Sequence, residues 1–449
     1  MPSEWGRVLP LVAGLMFGAS SVRGQQVPPQ RLSLKEAIDL AVKQNISVRV
    51  SGTHIAEQEG AGERAKASLY PRVSGDALAN RESVDLAALG ITFPHVPAVV
   101  GPFAHYDFRV SATESVIDRR AYHNWRATER LLDQAKLSYQ DARDLVIRET
   151  AGLYLDAQAA SAEVQAAESR IATSEALEKL SRDQRSEGLA TAVDVVRAQV
   201  QLERDRQALL VNRNNYQTSL LSLAHFLGLS PGTPIELTDE LRFRHAESVD
   251  LNAALPLALQ ARSDYRALLA QQDSLVEQHK AWHSRYLPTL AVNGDYGAIG
   301  RNFGSLAATG EVQGTLTFTF YDRDRTGEQK EIASRMKRLE NQIEDLGQQI
   351  EQDLRKASLD LESTESQVTV TENALHLAET ELTLAQDRFR NGVTDNIEVI
   401  QAQTTLASAQ DDRIVALARH ADAAVALARA LGGTETHYAV YLQGDGSGQ

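Results

Sequence analysis

Apolar positions along the chain fall into two long stretches of helical spacing and four short stretches of strand spacing, laid down twice in the same order. Across residues 119–187 there is no proline, and Gly152 is the only glycine. Apolar side chains recur there at Ala142, Val146, Leu153, Ala157, Ala160, Val164, Ala167 and Ile171. In the second half the seam runs through Ile343, Leu346, Ile350, Leu354, Ala357, Leu361, Val368, Leu375, Ala378, Leu382, Ala385 and Phe389. Spacings of three, four and seven over many turns predict coiled coil, and the alanines let helices approach closely. These helices start near Asp118 and Asp322; at 1.5 Å per residue each spans about 100 Å, so the molecule is elongated. Shorter helical segments are predicted from Ser33 to Lys66 and from Asp250 to His283, with return arms after Gly188 and Gly392 reaching Phe226 and Ala430. One return arm and one shorter segment, about 39 and 34 residues, together match one long helix, which predicts two short helices stacked end to end along it.

Strand spacing is clearest at Val312–Phe320. Val312, Gly314, Leu316, Phe318 and Phe320 share one face, and Glu311, Gln313, Thr315, Thr317 and Thr319 the other. This period of two suits a half-solvated sheet and equally a barrel with lipid outside and water inside. Phe108–Ala112 alternates likewise, and Val73–Arg81 and Leu290–Ala298 are the partner strands.

The two halves are copies. Leu34 matches Leu251 and Pro71 matches Pro288, each 217 positions on; Asp118, Gly188 and Gly228 match Asp322, Gly392 and Gly432, each 204 positions on. The 13-residue change of offset places a longer loop between the strands of the first half, and Phe93–Pro97 in it reads as an outward-facing receptor or lid surface. The expected organisation is residues 25–245 and 246–433 as two repeats, with 434–449 a tail.

Residues 1–24 read as a secretory signal: Arg7 is the basic part, weakened by Glu4. Val8–Ala19 is apolar, and Val22 and Gly24 are the small residues before a mature start at Gln25. No other apolar run nears the ~18 residues of a spanning helix, so membrane insertion is expected through β-strands. The chain has 46 basic and 60 acidic residues, a net charge of -14, and no cysteine. That balance argues against nucleic acid, which needs concentrated Lys and Arg, and the missing cysteine removes disulfides, thiolate metal sites and a cysteine nucleophile.

The hairpin turns carry the most specific residues. Arg185-Ser186-Glu187-Gly188-Leu189-Ala190-Thr191 and Arg388-Phe389-Arg390-Asn391-Gly392-Val393-Thr394-Asp395 each place an aliphatic residue after Gly, a capping residue three after it and an acid six after it. Gly closes one helix in the left-handed conformation. Thr191 and Asp395 cap the next, with Asp194 and Glu398 expected to complete capping boxes. Capping leaves the exposed Leu189 and Val393 unexplained, and exposed apolar tips suggest a contact surface.

Residues 32–433, with strands at one end and paired Gly-aliphatic-x-x-x-x-acid turns at the other, resemble the TolC-type outer-membrane factor family. The resemblance implies a mainly α fold with a small β part. In it, three protomers give four strands each to a 12-stranded barrel in outer-membrane lipid, and long helical hairpins form a periplasmic tunnel. It implies a passive channel of a tripartite efflux or type I secretion system, partnered by a periplasmic adaptor and an inner-membrane pump, with no cofactor. By position, Gly188, Leu189, Gly392 and Val393 would meet the adaptor. Glu398 would supply the gate's acidic ring, which Gln401 dilutes by replacing a second acid; Asp194 is the first tip's acid. Phe389 would help hold the closed state, and Thr394 replaces an Arg that serves as a latch in some members.

Other chemistry is poorly supported. His279 and His283 have a metal-compatible spacing but no Glu of a zinc-protease motif between them. Asp322-Arg323-Asp324-Arg325 reads as a solvated junction. No nucleophilic constellation or phosphate loop is present, so no enzyme is expected. The competing reading is a periplasmic coiled-coil adaptor or scaffold without a pore.

Overall fold

The computed structural model describes residues 29–245 and 249–435. The expected signal segment and nearly all of the tail lie outside them. The first repeat comprises β1 (Gln30–Leu32), α1 (Leu34–Gln44), α2 (Ile46–Ala67), β2 (Arg72–Asp85), β3 (Val99–Ile117), α3 (Arg119–Ser186) and α4 (Ala192–Phe226). After β4 (Ile235–Leu237) the second comprises α5 (Leu251–Ala261), α6 (Ser263–His283), β5 (Thr289–Gly300), β6 (Ala307–Thr317), α7 (Asp324–Arg390) and α8 (Asn396–Leu431).

The long helices match expectation, but the shorter segments are each broken. Asn45 (ψ 134°) and Arg262 (ψ 120°) leave helical geometry, and they too stand 217 positions apart. Asn45 uses its bend, capping α2 by accepting from Ser47 N (2.8 Å) and donating to Phe226 O (3.0 Å). Near the strands α3 lies between α2 and α6, with α7 beyond α6; toward the hairpin turns it lies between α4 and α8, with α7 beyond α8. Each long helix is thus lined by shorter ones, as their lengths require.

The largest core sits midway, where α1, the end of α4 and the linker close on α3 around Ile38, Ala41, Ile147, Tyr154, Leu223 and Leu227. A small parallel pair, β1 with β4, ties the start of the first repeat to the linker after it. Tyr154 OH donates to Leu32 O (3.0 Å), and Asp239 accepts from Leu34 N (2.7 Å). Two residue triplets carry too little pattern to be legible as strands.

The second sheet is antiparallel in the order β2-β3-β5-β6. Its register puts Phe108, Val110, Val292, Tyr296, Val312 and Leu316 on one face and Asp76, Asp107, Arg109, Asp295, Glu311 and Gln313 on the other. Arg109 pairs with Asp295 on the polar face. β6 ends at Thr317, so Phe318 and Phe320 lie beyond the strand expected to contain them. β3 outruns β5, which pairs with it only as far as Tyr106, so Val99–His105 pair with β2 alone as a projecting ribbon. A register shift at Glu82/Val84 bends it. Gly101 (φ +120°) sits in this bend, where a Cβ would lie 2.8 Å from Glu82 O.

The junction of β6 and α7 is less solvated than its sequence implies. Arg325 is buried, donates to Thr319 O (2.9 Å) and Arg285 O, and stacks over Tyr286 at 4.6 Å. Arg285 answers Asp322, Asp324 and Glu328. His279 and His283 both pack against Trp282.

Candidate functional site at the paired hairpin tips

Both turns close as the sequence requires. At the first, Leu189 N donates to Gln184 O (2.8 Å) and Gly188 N to Arg185 O (3.1 Å); at the second, Val393 N donates to Arg388 O (3.0 Å) and Gly392 N to Phe389 O (3.1 Å). This pair of bonds is the Schellman arrangement and needs a left-handed residue. Gly188 and Gly392 supply it at φ +78° and +66°. The turns hold Leu189 and Val393 out to solvent, each 66% exposed.

The two acids differ. Asp194 completes the expected capping box with Thr191, is buried, and takes a second partner in Arg197 (3.5 Å). Glu398 forms no such box. Asp395 caps α8 alone, and Glu398 turns to Arg388 across the hairpin (3.1 Å). The guanidinium offers the carboxylate a full positive charge and several donors, where the N-cap offers a single backbone N–H.

The tips are also joined to each other, which spacing did not reveal. Phe389 is buried among Leu177, Ala198, Leu382, Ala385, Val399 and Ala402, drawn from both hairpins. Gln184 Nε2 donates to Phe389 O (3.1 Å), and Asn396 Nδ2 donates to Asp194 O (2.6 Å). These reciprocal amide-to-backbone bonds tie α3 to α7 and α8 to α4. Gln401 is exposed and lines an apolar groove of about 480 Å³ between α4 and α8, with Val193, Val196, Val200, Ile397 and Ile400. The structure therefore gathers the tip residues singled out above, with Asp194 and Phe389 buried in the joined hairpins, Gln401 exposed beside them and the aliphatic pair at their ends.

Nearer the middle of the molecule a half-buried charge knot joins four helices. Arg262, at the α5–α6 break, binds Asp264 (2.5 Å) and Asp353 of α7 (3.3 Å). Arg429 of α8 reaches Asp141 (2.5 Å) and Asp144 (3.7 Å) of α3 and Asp264 (3.6 Å). Burial alone would raise the Asp264 carboxyl, but hydrogen bonding and charge from Arg262, then Arg429, hold it below its usual range. Burial raises Asp144 despite the pull of Arg429.

Long helical hairpins with joined tips end in an open-edged sheet with one apolar and one polar face, an architecture of the channel type. Among the described residues no helix is long and apolar enough to cross a membrane, and the sheet carries the lipid-compatible face. The chain belongs to the outer membrane efflux protein family, whose model matches residues 37–229 and 254–433. It is an outer-membrane efflux channel protein, extending into the periplasm. Among solved structures it is similar to the CmeC outer membrane channel of Campylobacter jejuni (TM-score 0.79, 15% identity, 89% of this chain and 86% of that one). It is likewise similar to outer membrane protein VceC of Vibrio cholerae (TM-score 0.77, 16% identity, 89% and 96%). At such identities the likeness establishes the fold. Protein CyaE of Bordetella pertussis is 29% identical over 208 residues, 46% of this chain and 42% of that protein.

Proposed function

We propose that three copies close their sheets into a 12-stranded barrel and their helices into a tunnel, forming a passive conduit from periplasm to exterior. The observation that carries this reading is the four-stranded sheet with free edges at β2 and β6. Each unpaired backbone group in hydrocarbon costs several kcal/mol, so only a closed barrel is tolerated there. Four strands do not close alone, and antiparallel membrane barrels begin at about eight. The helical wall has matching open edges. On α7, Val370, Leu377 and Leu384 stand seven apart and exposed, and on α4 Val193, Val196, Val200 and Leu210 are exposed. Apolar rows of this kind call for a neighbouring copy.

In this reading residues 25–245 and 246–433 are the two repeats, and the tips close the tunnel at rest. A periplasmic adaptor, itself linked to an inner-membrane pump, docks on Gly188, Leu189, Gly392 and Val393 and parts them. Glu398 and Gln401 then border the opening, while Asp194 and Phe389 brace it. Membrane fractionation with single-channel recording tests the proposal. A heat-resistant trimer in the outer membrane that conducts in planar bilayers is expected; a soluble, non-conducting monomer overturns it and favours the pore-free adaptor reading.

A further inference from the structure

The contact between the two hairpins of one protomer is not a uniform apolar core. On α8, Asn396, Gln403 and Gln410 fall seven apart, with Asn396 and Gln403 0% and 8% exposed. On α3, Ser174 and Ser181, also seven apart, are buried. Apolar layers containing Leu177, Ala198, Val399 and Ala402 alternate with them. A narrow cavity of about 60 Å³ is lined by Ser174, Gln201, Asp205, Gln403 and Gln410. Within it Asp205 is already engaged by Ser174 Oγ and by Gln201 Nε2 (3.1 Å). Both polar atoms of the Gln403 amide, Gln410 Oε1, Ser181 Oγ and Asn396 Oδ1 have no protein partner among the described residues.

Unpartnered polar atoms in three successive heptads weaken this seam relative to an apolar one of the same shape, since a buried polar group needs a partner or water. The cavity, with polar groups of Ser174, Asp205, Gln403 and Gln410 in its lining beside Leu382 and Leu406, has room for a few waters at ~10–15 Å³ each. Polar residues at core positions of a coiled coil trade stability for control of pairing. We infer that Asn396, Gln403 and Gln410 form a hydrated polar seam that keeps the two hairpins separable, with Gln403 setting the balance between joined and parted tips. This rests on the tip gate proposed above: parting exposes the amides to water, so joining them costs more than it would in a dry seam.

Open probability of the full-length trimer in planar bilayers tests the inference, with heat resistance of the trimer as the assembly control. Gln403→Leu keeps the volume and removes the polar atoms; it should lower open probability about fivefold, the factor expected for one modest buried interaction. Gln403→Glu places a carboxylate in the joined seam and should raise open probability by at least as much. Opposite shifts support the seam; equal or absent shifts overturn it. Should Gln403→Glu not assemble, Gln410→Leu gives the second arm, and it must lower open probability as Gln403→Leu does or the seam is wrong. Gln184→Ala, which cuts one tie between the tips, reports on the gate itself. If it leaves the pore closed, the tip gate falls and the seam with it; if it opens the pore while the Gln403 variants act alike, the seam alone falls.

Discussion

Arg388 Nη1 lies 3.1 Å from the Glu398 carboxylate, so the acid of the second tip is held by the helix that enters the same turn. The pair is partly exposed, and such pairs contribute about 0–1 kcal/mol. Its weight is therefore electrical rather than structural. Three Glu398 residues around a pore would be largely offset by three Arg388 residues. Arg388→Ala should increase cation preference, and Glu398→Ala should reduce or reverse it, both read from reversal potentials in a salt gradient. If both variants keep the parent's preference, Glu398 does not border the narrow part of the path.

Leu189 and Val393 are held outward by turns that only a left-handed residue can close. Leu189→Asp and Val393→Asp should abolish efflux that needs a partner while leaving the trimer and its bilayer conductance intact. Efflux assays beside recordings of purified protein separate these effects; normal efflux in the double variant removes the tips from docking.

A Cβ at Gly188 or Gly392 meets nothing within 4 Å, so replacement there probes backbone strain alone. Gly392→Ala should cost about 1–2 kcal/mol at the tip, the penalty of left-handed geometry. The expected signature is faster proteolysis or hydrogen exchange around residues 385–400 with unchanged melting of the rest; unchanged local exchange would mean the turn re-forms another way.

The charge knot should respond to both mutation and acid. Removing one partner of a fully buried pair costs about 3–5 kcal/mol, and this knot is half-buried, so Arg429→Met should lower the protein's melting temperature by less than that limit implies. Asp264 has a lowered pKa in the fold. Its contribution is thus complete above the ordinary carboxylate range and is lost as pH falls through that lowered value. Asp144, raised by burial, runs in the opposite sense, favouring the fold as it protonates. Comparing melting against pH for the parent and Asp264→Asn isolates the first: the variant should start less stable near neutrality and lose less on acidification. Parallel curves would discount Asp264.

What the sequence disclosed follows from how local each feature is. The duplication, both long helices, the four sheet strands and the Gly turns are written in spacing, and the matched helix breaks at Asn45 and Arg262 keep the same offset as the first landmarks. Spacing makes Glu398 a capping acid because the rule looks three residues back, whereas its partner stands ten back, across the turn. Gln184, Asn396 and Gln403 resemble ordinary polar positions on helices with charged faces. Only the packing of α3 and α4 on α8 makes them buried, although the seven-residue repeat of Asn396, Gln403 and Gln410 was a signal open to notice. The Arg262–Arg429 knot joins residues from four helices, which no spacing brings together.

The ribbon formed by β2 with Val99–His105 has no counterpart in the second repeat, where β5 and β6 stop at a short turn. The outermost surface of the molecule is therefore written by one copy of the duplicated unit alone, while the opposite end is written by both. An antibody raised against the exposed end of the cell-surface protein would select changes in residues 80–105 and leave the paired tips untouched.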